Sequence, residues 1–194
     1  MNPLTLLTEE QQIFRDTVLA YAKDKISPLV QFMDTEAALL PQVTRGLFEM
    51  GLMGIEVPER FGGAESSFFN AVLAIEALAQ VDPSVSVFVD VQNTLVNNCI
   101  LRFANEAQQE KYLPRMTHDW VGSYALSEPA SGSDAFALRC KADRCDEGWV
   151  LTGNKLWITN GAEANLFIVF ANVKPQDGYK GITAFLVERT FPGF

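Results

Sequence analysis

The sequence predicts an α+β protein: an all-α helical bundle followed by an all-β, barrel- or sandwich-like domain. Three observations carry this. Up to about residue 118, apolar residues recur at helical spacing between capping residues. After about Asp119 the pattern changes to short β-branched and aromatic runs. Those runs are separated by Gly, Asp, Asn and Pro with no helical stretch between them, which argues against βαβ units. Residues 1–118 are therefore read as one helical domain and residues 119–194 as a β domain.

Each element has a local cause. Thr8 to Gln11 has capping-box form, and Ile13, Phe14, Val18, Tyr21 and Ile26 continue an apolar stripe that predicts a helix to Pro28 or beyond. A second helix is expected over about 41–50, stopped by Gly51. A third is expected over about 67–80 with Phe68, Val72, Ile75 and Leu78 on one side. Asp82-Pro83 supplies an N-cap and an N1 proline for a long helix through about Phe103, apolar on all sides and so expected at the centre of the bundle. Asn105 caps a short helix through Tyr112. Strands are expected near 121–127, 137–143, 149–157, 166–173 and 182–188, with turn chemistry at 146–148, 152–154 and 177–178. Five strands and no terminal cap leave edges unprotected, so the sequence is read as cut off.

Composition narrows the function. A net charge of −9, from 15 Lys and Arg against 24 Asp and Glu, repels phosphate backbones and anionic headgroups, so nucleic acid is not expected as a partner. No apolar run approaches the ~20 residues that cross a bilayer, so membrane insertion is not expected. Cys99, Cys140 and Cys145 lack CxxC spacing and His118 is the single histidine, so neither a disulfide framework nor a metal site is expected. His118 is read as structural. Met1 to Leu7 carries neither a basic n-region nor a transit-peptide pattern.

Two segments carry candidate chemistry. In Tyr124-Ala125-Leu126-Ser127-Glu128-Pro129-Ala130-Ser131-Gly132-Ser133-Asp134 a strand runs into a loop of small residues, which lets backbone amides and hydroxyls approach a polar or anionic ligand, or simply joins two strands. It is neither a Walker loop nor GxGxxG. In Gly153-Asn154-Lys155-Leu156-Trp157-Ile158-Thr159-Asn160-Gly161, strand alternation puts Trp157 and Thr159 on one side. That pair suits a planar heteroaromatic ligand, and a core tryptophan is the other reading.

Together the two segments resemble the acyl-CoA dehydrogenase family. Ala125 to Ala137 fits that family's signature, and Trp157-Ile158-Thr159 fits its second flavin motif. Gly51-Leu52-Met53-Gly54-Ile55, Phe61-Gly62-Gly63 and Lys111-Tyr112-Leu113-Pro114 look like its other landmarks, so the likeness runs along the whole chain. Gln92 to Leu95, Ser133 to Leu138 and Gly178 to Thr183 look most like its short/branched-chain branch.

The resemblance implies FAD-dependent α,β-dehydrogenation of a short or branched acyl-CoA thioester. It implies that Tyr124, Ala125, Leu126, Ser127, Glu128, Pro129, Ala130, Ser131, Gly132 and Ser133 line the flavin and its pyrophosphate arm, with backbone groups around Leu126 and Ser127 at the ring's polar edge. Trp157, Ile158 and Thr159 are expected beside the ring, and Ser133 and Tyr179 on the acyl-CoA. Near Phe88 to Leu95 the long helix is expected to approach the acyl tail, where Gln92, Asn93 and Thr94 would offer polar atoms that disfavour a long alkyl chain. No catalytic residue is assigned: the glutamate that removes the α-proton lies in a C-terminal helical domain in most members, and Glu56, Glu76, Glu128 and Glu163 match no such motif. The resemblance further implies electron-transfer flavoprotein as acceptor and a homotetramer, in bacterial cytoplasm or the mitochondrial matrix. A non-catalytic CoA- or flavin-binding or partner-binding module and an acyl-CoA oxidase are the other readings.

Overall fold

Thr8 opens the first helix as its chemistry demands: its hydroxyl accepts from Gln11 N at 3.2 Å while the Gln11 side chain accepts from Thr8 N at 2.9 Å. The computed structural model describes residues 6–146 and 148–194. Most of the Met1–Leu7 reading and the centre of the 146–148 turn lie outside the described residues. The chain divides into two compact units, Met1–Asp119 and Trp120–Phe194.

In the first unit, α1 (Glu9–Tyr21) continues through a wide π turn (Ala22–Ile26) and a 3₁₀ turn (Ser27–Leu29) into α2 (Val30–Glu36). The sequence pattern did not reveal α2. Val18, Ala22 and Ile26 are buried, whereas Ile13 is exposed and does not extend the stripe. α3 is Pro41–Glu49, and α4 is Phe68–Ala79 with its Ser67 cap accepting from Asn70 N. The buried face of α4 corrects the expected one: Phe68 and Val72 are exposed, and Ala71, Leu73, Ala74, Ala77 and Leu78 are buried. Small alanines let α4 approach both α1 and α5 closely, and that packing outweighs the larger apolar side chains.

The central helix forms as α5 (Pro83–Asp90), a π segment (Val91–Asn97) and α6 (Asn98–Phe103). Asp82 caps it, its carboxylate accepting from Ser84 N at 2.7 Å and Val85 N at 3.3 Å. Most of its length is buried, including Gln92, Asn93 and Asn97, but Val87, Leu95 and Phe103 are exposed, so it is not covered on all sides as expected. α7 runs Glu106–His118, longer than the expected helix, with Pro114 inside it. A proline there costs about 3 kcal/mol. Burial of Tyr112, Leu113 and Met116, each worth roughly 1.5–3 kcal/mol, offsets it. His118 is on the surface, its side chain 82% exposed beside Asp119, which corrects the structural reading.

The second unit is one five-stranded mixed sheet: β1 (Gly122–Ala125), β2 (Lys141–Cys145), β3 (Gly148–Thr152), β4 (Leu166–Asn172) and β5 (Ile182–Glu188). β4 is its spine. It pairs in parallel with β1, Gly122 opposite Leu166, and antiparallel with β5, Asn172 opposite Ile182. β2 joins the end of β4 at Lys141–Asn172 and forms a hairpin ladder with β3. Double coverage makes β4 the buried strand, with Leu166, Ile168 and Ala171 at 0% exposure. Three strands are shorter than expected. β1 stops at Ala125, β2 begins only at Lys141, and β3 ends at Thr152, so the first candidate segment is strand only at Tyr124 and Ala125 and the second not at all.

Candidate functional site

The two candidate segments converge. Leu156 N donates to Ser127 O at 3.0 Å, and Lys155 Nζ donates to Leu126 O at 3.1 Å and to Glu128 Oε1 at 2.7 Å. Beneath them Ser123 Oγ donates to Thr159 O, and Asn160 Nδ2 donates to Gly122 O at 3.1 Å. Hydrogen bonds from both ends of the second segment therefore hold it against β1 and the loop that follows.

The first segment makes a tight corner. Glu128 N donates to Ser131 O at 2.9 Å and Ser131 N to Glu128 O at 3.1 Å, which leaves Pro129 and Ala130 exposed at the tip. Ser131 is buried and its Oγ donates to Asp134 O at 2.8 Å. Gly132 and Ser133 are exposed. Gly132 does not have a left-handed φ, and a Cβ built there meets no atom within 4 Å. Neither backbone strain nor internal packing accounts for this glycine.

Glu128 points inward. Its side chain is 5% exposed, and it accepts from Arg139 N at 2.6 Å and Cys140 N at 3.0 Å as well as from Lys155. Burial pushes its carboxyl up, but the Lys155 hydrogen bond, the two amides and the Lys155 charge together outweigh burial and hold it below the ordinary value of 4.5. These oxygens are occupied in fastening the loop. Burial pushes the Cys140 thiol up, which keeps it protonated, and Gly153 closes over it because a Cβ at 153 would sit 2.9 Å from Cys140 Sγ.

Trp157 overturns both its expected setting and the core alternative. It lies outside any strand, so alternation does not relate it to Thr159. Its φ is +58°, the left-handed region that costs a bulky residue about 1–3 kcal/mol, and it is 88% exposed. A strained backbone that delivers an indole to solvent stabilises nothing in the unit, and an exposed flat face is what a planar ligand needs. Thr159 is exposed and Ile158 half-buried.

Tyr179 lies in the 3₁₀ segment Pro175–Gly181 and packs against Phe136, ring centroids 5.0 Å apart at a tilted angle, so the residues just after the first segment meet Tyr179. Asn172 holds that segment, accepting from Lys174 N and donating to Gly178 O, both at 2.9 Å. Sequence reasoning missed Lys155, Asn172 and Ser123. Their chemistry depends on partners 27, 6 and 36 positions away, and Lys155 in an alternating run reads as a solvent-facing residue.

The polar side chains of the central helix are engaged within the helical unit. Asn93 Nδ2 donates to Leu52 O at 2.8 Å and Val89 O at 2.9 Å, and its Oδ1 accepts from Ile55 N at 2.9 Å. Gln92 donates to Met116 O, Asn97 to Met53 O, and Thr94 to its own helix at Asp90. These amides clamp the Leu52–Ile55 stretch and α7, so they are committed to the helical unit's own main chain. Among the described residues no group of His, Cys, Asp and Glu is placed to hold a metal. No described helix is long and apolar enough to cross a membrane.

A helical unit joined to a mixed-sheet unit that presents a small-residue loop beside an exposed tryptophan defines the class of protein, a two-part α+β scaffold with both candidate segments on the β unit. Residues 8–119 match the family model for the acyl-CoA dehydrogenase N-terminal domain and residues 123–194 that for the acyl-CoA dehydrogenase middle domain, so the chain belongs to the acyl-CoA dehydrogenase family. It is 52% identical over its whole length to a probable short/branched chain specific acyl-CoA dehydrogenase of Dictyostelium discoideum, covering 47% of that protein. It is 45% identical over 99% of its length to the mitochondrial short/branched chain specific acyl-CoA dehydrogenase of Rattus norvegicus, covering 44% of it. Among solved structures, butyryl-CoA dehydrogenase of Megasphaera elsdenii superposes with a TM-score of 0.93 at 32% identity, over 100% of this chain and 51% of the other. The chain thus spans about half the length of the curated relatives it matches.

Proposed function

We propose that residues 1–118 and 119–194 form the N-terminal and middle domains of an FAD-dependent dehydrogenase of short or branched-chain acyl-CoA thioesters. The observation that carries this is Trp157, held by hydrogen-bonded neighbours in a strained conformation with its ring in the open, beside a loop whose Gly132 has room above it. Bound FAD would supply the hydride-accepting chemistry, and the protein supplies orientation and electrostatics. Tyr124 to Ser133 would line the cofactor, with Ala125, Glu128 and Ser131 shaping the loop from below and Gly132 admitting the cofactor to the main chain. Trp157, Ile158 and Thr159 would flank the ring, and Ser133 and Tyr179 would meet the acyl-CoA. The nearest support for the acyl group is the likeness to short/branched-chain enzymes at 52% and 45% identity. Electron-transfer flavoprotein as acceptor, a homotetramer, and a bacterial cytoplasmic or mitochondrial matrix setting belong to the same proposal.

Trp157→Ala in the full-length protein is expected to weaken FAD retention about 10-fold, which corresponds to ~1.4 kcal/mol, without lowering the melting temperature of the flavin-free protein. Flavin fluorescence titration beside a thermal melt checks this, and unchanged retention or loss of the fold refutes it. For the acyl group, kcat/KM of the full-length protein should be higher for 2-methylbutyryl- and butyryl-CoA than for octanoyl- and palmitoyl-CoA. A maximum at palmitoyl-CoA would overturn the substrate class.

A further inference from the structure

Lys155 occupies a position that flavin contact does not explain. Its side chain is 11% exposed, and its ammonium donates both to the buried Glu128 carboxylate at 2.7 Å and to the main-chain oxygen of Leu126 at 3.1 Å. The second bond has a geometric consequence. A trans peptide is planar, with its N–H opposite its C=O, so tying the Leu126 oxygen to Lys155 turns the Ser127 N–H away from Lys155 and fixes its direction. It has an electrostatic consequence as well. A cation on the carbonyl polarises the whole peptide and makes the Ser127 N–H a stronger donor, the more so where little water screens it. The next peptide is fixed too, because Ser127 O accepts from Leu156 N and Glu128 N donates to Ser131 O.

We propose that Lys155 is a positioning residue that aims and polarises the Leu126–Ser127 peptide toward the polar edge of the bound flavin, with Glu128 setting how much of its charge that peptide feels. This rests on the reading that the chain binds FAD. It assigns the buried ion pair a part in setting flavin electronics in addition to closing the loop. Reduction adds electrons to the ring, so a stronger donor at its polar edge favours the reduced form. Removing the cation makes the flavin harder to reduce. Neutralising Glu128 while retaining its shape leaves the Lys155 charge uncompensated and makes the flavin easier to reduce.

The opposite signs separate this role from a structural one. The test uses the full-length protein and its Lys155→Met, Lys155→Arg and Glu128→Gln variants, with FAD affinity from fluorescence quenching, midpoint potential from a dye-coupled reductive titration, and the visible spectrum of the bound flavin. K155M should raise the FAD dissociation constant about 10-fold or more and move the potential negative. E128Q should move the potential positive, and K155R should stay within about 3-fold of wild type in affinity with a wild-type-like spectrum. Should K155M fail to fold, the pair E128Q and K155R still decides the matter by the sign of the first and the rescue by the second. Shifts of one sign in both K155M and E128Q, or no shift in either variant of a protein whose wild type binds FAD, overturn the role of Lys155 alone. A wild-type protein that does not bind FAD overturns the flavin reading and this assignment with it.

Discussion

Glu128→Ala should cost the β unit about 3–5 kcal/mol. One substitution would leave Lys155 buried without its counter-charge, and the amides of Arg139 and Cys140 without their acceptor, at the point where the loop returns to β2. Breaking a buried pair by removing one partner carries a penalty of this order, because the remaining charge stays desolvated. Urea denaturation followed by hydrogen exchange at the Arg139 and Cys140 amides measures it, and a loss under about 1 kcal/mol would show that water replaces the carboxylate. The same site imposes a pH dependence. The folded-state pKa of Glu128 is depressed, so its contribution is complete above the unfolded value near 4.5 and is lost as pH falls through the lower folded value. Stability of the wild-type β unit should therefore decline on acidification below about pH 4.5. Glu128→Gln should remove that part of the slope.

Asn93→Leu should destabilise the helical unit by about 2–5 kcal/mol although the side chain keeps its branched shape. Asn93 is 1% exposed, and its three hydrogen bonds fasten Leu52 O, Val89 O and Ile55 N. Leu52 and Ile55 are themselves buried, so their main-chain groups would lose their partner where water does not reach, at roughly 1–3 kcal/mol for each unsatisfied group. Thr94→Val is the matched control. Its hydroxyl bonds only to Asp90 one turn back on the same helix and is half-buried, so its loss should cost under about 1 kcal/mol. Chemical denaturation of the two variants side by side checks the contrast. Equal losses would mean that helix position, and not the clamp on residues 52–55, governs stability here.

Helix starts were legible residue by residue. Thr8, Asp82 and Asn105 each cap the helix they precede, because a cap needs only a short polar side chain and an amide two or three positions on, while Ser67, read as the first residue of its helix, is its cap. The β5 strand and the switch from helical to extended structure were legible for the same local reason. The buried face of α4 was not, since its alanines carry too little hydrophobicity to outscore Phe68 and Val72, and only the close approach of α1 and α5 selects them. The setting of Trp157 was misread because alternation in the run from Trp149 to Trp157 continues past the point where β3 loses its partner, at Thr152.

For the candidate site, the sequence alone determined which residues are present and that two segments with small, polar and aromatic members fit one family signature. Tertiary structure alone decided how they work together. The parallel pairing of β1 with β4 joins residues 44 positions apart. The Lys155–Glu128 pair joins residues 27 apart, and the Asn93 clamp reaches back 41 to Leu52. Closing such loops costs chain entropy that no local pattern records. It is offset only when a buried charge or amide finds its partner in the folded protein, so these contacts become visible only there.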